Sequence, residues 1–124
     1  MITGVGTVVL YVSDQQRSVD FYVGKLGWEK VTDGEMWPGA RWIEVAPAGA
    51  ETRVALLLPD PSFEGAKVGG PAPATLVADD VRATYEQLKS QGVAVTEPVE
   101  EPWSTYIKVT DPDGHEFVVG QPQS

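Results

Sequence analysis

The chain has 124 residues, with 18 Asp and Glu against 9 Lys and Arg, and the resulting charge of −9 repels phosphate backbones and anionic membrane surfaces. Nucleic acid and membrane are thereby disfavoured as partners, and a cationic small molecule is the more natural one. A 42% hydrophobic share suits one domain with its own core, and the lack of cysteine removes disulfides, thiolate metal sites and cysteine nucleophiles together.

The opening stretch, MITGVGTVVLYVSD, holds too short an apolar run for a membrane span and lacks the basic start of a signal peptide, so a cytoplasmic protein is expected. Residues 7–12, TVVLYV, are β-branched and aromatic and read as a strand. Ser13 with Gln16 has the form of a reciprocal cap, and a helix follows with Val19, Tyr22, Val23 and Leu26 on one face, stopped by Gly27. Trp28, just past that stop, is expected in the core. Three extended segments come next: GWEKV, ARWIEVA and TRVALLLP. Residues 59–73, with four prolines and three glycines, read as a linker.

The same order then returns. ATLVA at 74–78 precedes Asp79 as a cap, Val81, Tyr85 and Leu88 recur at helical spacing, and Gly92 ends the helix. GVAVTEP, TYIKVT and HEFVVGQP follow as strands, with the acidic TEPVEEPW at 96–103 read as a solvated loop. Asp14 to Gly27 lies over Asp79 to Gly92 at a constant offset of 65, the mark of a duplicated unit. The reading is a single α+β domain over 1–124: two tandem βαβββ modules, 1–58 and 74–124, whose curved mixed sheets surround a cup-like cavity with the helices outside.

This duplication, together with VSDQQRSVDFYVGKLGWE and the closing DPDGHEFVVGQ, resembles the vicinal oxygen chelate superfamily of glyoxalases, extradiol dioxygenases, fosfomycin-modifying enzymes and bleomycin resistance proteins. The resemblance implies a divalent metal held by His, Gln or Glu at the first and last strands of each copy. Those positions fall here on Thr7, Ala55, Pro73 and Val118, which offer no strong ligand, and neither do their immediate neighbours. No metal, cofactor or catalytic residue is therefore assigned. Homodimer formation is also implied by the resemblance.

His115, the single imidazole, reads as a turn residue after DPDG rather than as a base or a metal ligand with Glu116. Aromatic residues become the more informative candidates. In ARWIEVA, Trp42 and Glu44 alternate with Ile43 and Val45 and would look into the cup, opposite Ala55 and Leu57. Trp37 and Trp103 stand beside prolines in loops at expected cavity rims, and Tyr11, Arg53 and Tyr106 lie at strand ends. These seven residues, Tyr11, Trp37, Trp42, Glu44, Arg53, Trp103 and Tyr106, form the expected ligand-binding set. The expected function is metal-independent binding of a cationic or aromatic small molecule, such as antibiotic sequestration. The alternatives are a glyoxalase-like lyase or isomerase, or a dioxygenase, using displaced ligands such as Glu44 and Glu116, and an interaction module whose cup is filled by its own side chains.

Overall fold

A computed structural model describes residues 1–60 and 65–122, so residues 61–64 of the expected linker lie outside the described residues. The chain divides into two compact units, Met1–Val68 and Gly69–Ser124.

In unit one, alternating apolar and polar residues make β3 (Ala40–Ala46), which lies antiparallel to β4 (Arg53–Leu57) with Ile43 beside Leu56 and Glu44 beside Ala55. Strand β1 (Thr7–Tyr11) runs parallel to β4, and β2 (Glu29–Trp37) closes the sheet on the far side of β3. Leu10, Ile43, Val45 and Leu56 are all buried on the face covered by the helix. Each contributes about 1.5–3 kcal/mol relative to an exposed side chain. Trp42, Glu44, Arg53, Ala55 and Leu57 occupy the opposite face, on which Glu44, Ala55 and Leu57 are themselves buried.

Helix α1 spans Gln15–Val19 and continues as a π-helical turn over Asp20–Lys25. Its cap is Asp14, whose carboxylate accepts from the Arg17 N–H, and not the expected Ser13. The π turn carries Leu26 N–H to the carbonyl of Phe21, five residues back, and it rotates Val23 out to 37% exposure. That is why Val23 leaves the apolar face on which a regular 3.6-residue period placed it, while Val19 and Tyr22 stay buried. Trp28 is partly exposed and lies against the buried Tyr22 ring at 5.1 Å between centroids.

In unit two, β10 (His115–Pro122) pairs antiparallel with β9 (Ser104–Thr110) and parallel with two short segments, β5 (Gly70–Pro71) and β6 (Leu76–Val77). The last residues of the expected linker are thus a strand. They join the sheet because Gly69, at φ +84, lets the backbone pass where a Cβ would lie 2.7 Å from the Asp113 carbonyl oxygen. Strand β9 also pairs with β7 (Ala94–Val95) and with β8 (Val99–Glu101). Strand β8 corrects the loop expected over TEPVEEPW: Pro98 and Pro102 sit just outside it, where no ladder N–H is needed.

Helix α2 (Val81–Ser90) is capped by Asp80, one residue after the expected Asp79, and buries Val81, Tyr85 and Leu88. From cap to the terminal positive-φ glycine the first helix spans thirteen positions and the second twelve, and the π turn absorbs the difference. Thr105, Ile107, Val109, Phe117 and Val119 are buried on the helix side of the sheet, and Tyr106, Lys108, Val118 and Gly120 face the other way.

Candidate functional site

On the open face of unit one, Trp42 Nε1 donates to Glu44 Oε2 and Arg53 Nη1 donates to Glu44 Oε1, both at 3.0 Å. Glu44 is only 8% exposed. Burial alone would raise its carboxyl, but the hydrogen bonds from Trp42, Arg53 and Thr32, with the Arg53 charge, outweigh it and hold the group below its ordinary value. Three of the expected binding residues therefore meet directly, as a clasp across β3 and β4. Tyr11 lies beside Leu57 on the same sheet.

Trp37 is the last residue of β2 and not part of a loop. Its partner is Ala40, so Pro38 and Gly39 form the whole turn, with Gly39 at φ +83 as a Pro-Gly turn requires. Trp37 is half exposed and lines a pocket of about 230 Å³ with Met36, Arg41, Leu57 and Gln15. Gln15 closes its inner end by donating to the carbonyls of Arg41 and Leu56. Asp33 pins Arg41; hydrogen bonds from Lys30 and Arg41 hold the Asp33 carboxyl low.

Unit two carries the larger opening, about 600 Å³, on its open face. Tyr106 and Lys108 come from β9, Val118 and Gly120 from β10, Thr75 and Val77 from the edge beside it. Trp103, in the two-residue turn between Glu101 and Ser104, overhangs it at 70% exposure. Trp103 and Tyr106 are thus brought together. Lys108 is the charged side chain in this lining, so the acidic bulk charge does not extend onto the floor of the pocket. Its ammonium lies 3.6 Å from Glu116, a half-exposed pair worth little in stability.

His115 faces the other way, and its side chain is 3% exposed. Nε2 accepts the Gly69 N–H at 3.1 Å, so the ring proton sits on Nδ1, which donates to Asp111 Oδ2 at 2.8 Å. The other Asp111 oxygen accepts from the backbone of Asp113 and His115. His115 therefore fastens the entry of unit two to the DPDG turn. Glu116, its neighbour along the strand, points to the opposite face, so the two do not converge on one ligand.

Strand pairing puts Thr7 and Ala55 on the open face of unit one and Val118 on the floor of the pocket in unit two, with Pro73 between β5 and β6. Hydroxyl, methyl, ring and isopropyl groups do not suit a catalytic divalent centre, which takes about three imidazole or carboxylate ligands. Among the described residues no three His, Asp or Glu side chains gather in ligating range.

Sequence reasoning missed Lys108, Gly120, Thr75 and Val77. The signal was present: once TYIKVT is a strand, Tyr106 and Lys108 must share a face, and a glycine inside HEFVVGQP marks a gap in the facing row.

Residues 4–119 match the sequence profile of the Glyoxalase/Bleomycin resistance protein/Dioxygenase superfamily. The uncharacterized protein YetH of Bacillus subtilis is 38% identical over 120 residues, 96% of this chain and 98% of that protein. A superfamily member from Sphaerobacter thermophilus superposes with a TM-score of 0.90 at 38% identity, over 98% of both chains. TnmS3, an antibiotic binding protein from a Streptomyces species, superposes with a TM-score of 0.85 at 35% identity, again over 98% of both. No helix of the described residues is long and apolar enough to cross a membrane. With the tandem βαβββ sheets, the profile match across nearly the whole chain and these close structural relatives, the protein belongs to the Glyoxalase/Bleomycin resistance protein/Dioxygenase superfamily.

Proposed function

We propose that the protein is a metal-independent small-molecule binder of this superfamily, acting by sequestration of an antibiotic-like compound. The observation that carries this reading is the 600 Å³ pocket of unit two, walled by Trp103 and Tyr106 on a floor that offers no metal-ligating side chain. Its size lies within the roughly 300–1,000 Å³ of small-molecule sites, and its aromatic lining favours a flat ligand. The likeness to TnmS3, itself an antibiotic binding protein, supports the same reading. Trp42, Glu44 and Arg53 take a supporting part, because the Glu44 carboxylate is already engaged by Trp42, Arg53 and Thr32 and serves the sheet before any ligand.

The reading takes the protein as a cytoplasmic homodimer that pairs through sheet edges. Size-exclusion chromatography with light scattering tests the dimer. Binding itself is tested by following tryptophan fluorescence while a panel of aromatic antibiotics is titrated, alongside thermal melts with Zn, Ni, Mn and Fe. A native-state ligand raises the melting temperature by mass action. At least one antibiotic is expected to shift both readouts and no metal to do so. A metal-specific rise abolished by Glu44→Ala or Glu116→Ala would overturn the proposal in favour of an enzyme with displaced ligands.

A further inference from the structure

Gly120 has no conformational reason to be glycine. It sits inside β10, paired with Tyr106 on one side and Val77 on the other, and it is absent from the positive-φ glycines. Glycine in a strand interior costs entropy and leaves a gap in packing, and it often marks the place where another molecule approaches the backbone. The duplication shows what the position would otherwise hold. Glu44 beside Ala55 in unit one matches Lys108 beside Val118 in unit two. Two residues further along each last strand stand Leu57, which is 5% exposed, and Gly120. Unit one fills this floor with a leucine; unit two leaves it empty beneath Tyr106.

We infer that Gly120 is the floor of a slot for a flat polycyclic aromatic carrying an oxygen acceptor on one edge, its rings lying over the Gly120 backbone between Tyr106, Val77 and Trp103 and its acceptor facing Lys108. A Cβ at Gly120 would lie 3.2 Å from Ser104 Oγ, a hydroxyl that lines the same pocket and would have to turn aside, so a side chain at this position takes up space on the pocket floor. Lys108 supplies the polar end, because its ammonium, paired among the described residues with half-exposed Glu116 at 3.6 Å, has three donors and can also serve a carbonyl, phenolate or carboxylate. This assignment rests on the binding function proposed above and names the class of molecule and the residue that admits it.

Two probes with the same rings and opposite charge, pyrene-1-carboxylate and 1-pyrenemethylammonium, test it by calorimetric titration. Gly120→Leu, which installs the residue of unit one, and Val118→Phe, which fills the slot from the adjoining position, are each expected to weaken pyrene-1-carboxylate by about tenfold or more. Both should fold and melt cooperatively, since leucine and phenylalanine suit a strand, with the Ser104 hydroxyl turning aside for the new side chain in Gly120→Leu. Lys108→Met should weaken the carboxylate and leave the methylammonium unchanged. Val23→Ala, at an exposed position on the first helix, should change neither, and Trp37→Ala reports on the other pocket.

Unaltered binding in Gly120→Leu and Val118→Phe would overturn the slot, and so would loss on Trp37→Ala alone. If the wild type binds panel antibiotics and the filled variants bind them as well, the slot falls and the binding function stands. If the wild type binds neither pyrene nor any antibiotic, the binding function itself falls.

Discussion

At matching places in the two sheets, unit one sets Glu44 under the donors of Trp42 and Arg53, while unit two sets Lys108 beside Val118 with space above. The order β1-β4-β3-β2 of unit one returns as β6-β10-β9-β7 in unit two, where β5 and β8 are added, yet one face is tied by a charged clasp and the other is left unfilled. Topology fixes where a floor lies; a few side chains of that floor decide whether it holds itself together or receives something else. In this fold a duplication can keep its framework and still divide its labour, because helix-side burial stabilises each sheet and frees the opposite face to vary.

The sharpest way to break this contrast is within β10, between neighbours on opposite faces. Phe117→Ala removes a side chain that is 1% exposed and should cost about 3–5 kcal/mol in urea unfolding, whereas Val118→Ala on the open face should cost about 0.5 kcal/mol or less. Equal losses would mean that the open face is core after all. Next in size, His115→Ala removes the ring that joins Asp111 Oδ2 to the Gly69 N–H and should cost about 1–3 kcal/mol, with faster amide exchange at Gly69 and Asp113 as its local signature.

Glu44→Gln tests the clasp of unit one and should cost about 1–2 kcal/mol near neutral pH. Because the folded carboxyl is held below its ordinary 4.5, the stability it adds is present above that value and lost as pH falls through the lower folded one. The gap between wild type and Glu44→Gln should therefore narrow as pH falls below 4.5. A constant gap would mean that the clasp owes nothing to charge. Smallest of all, Lys108→Met should shift unfolding by about 0.5 kcal/mol or less, since both partners of its ion pair are half exposed.

Much of this architecture was legible before any coordinates. Period-2 alternation in ARWIEVA gave the pairing of Glu44 with Ala55, and β10 begins and ends where HEFVVGQP does. The misreadings have local causes. Asp33-Gly34 imitates a turn inside β2, although Gly34 pairs with Trp42; the prolines around Val99–Glu101 hid an edge strand; a π turn does not show in a 3.6-residue pattern. Adjacent polar residues, Ser13 with Asp14 and Asp79 with Asp80, left each helix cap uncertain by one position until the accepting carboxylate was seen. In the site, the strand face of Trp42 and Glu44 followed from the sequence, but the closure by Arg53 depends on a cross-strand contact. Lys108 and Gly120 were not legible as site residues, because a lone lysine and a strand glycine carry no binding signal until β9 and β10 pair and bring them onto one face.

The buried His115 has one more consequence. The chain holds a single imidazole, with one nitrogen committed to Asp111 of the DPDG turn and the other to the Gly69 N–H. An acylating reagent that seeks imidazole, such as diethylpyrocarbonate, can reach it only while that turn is open, so the carbethoxylation rate becomes a clock for local opening of unit two, read at one wavelength without labels or mutations.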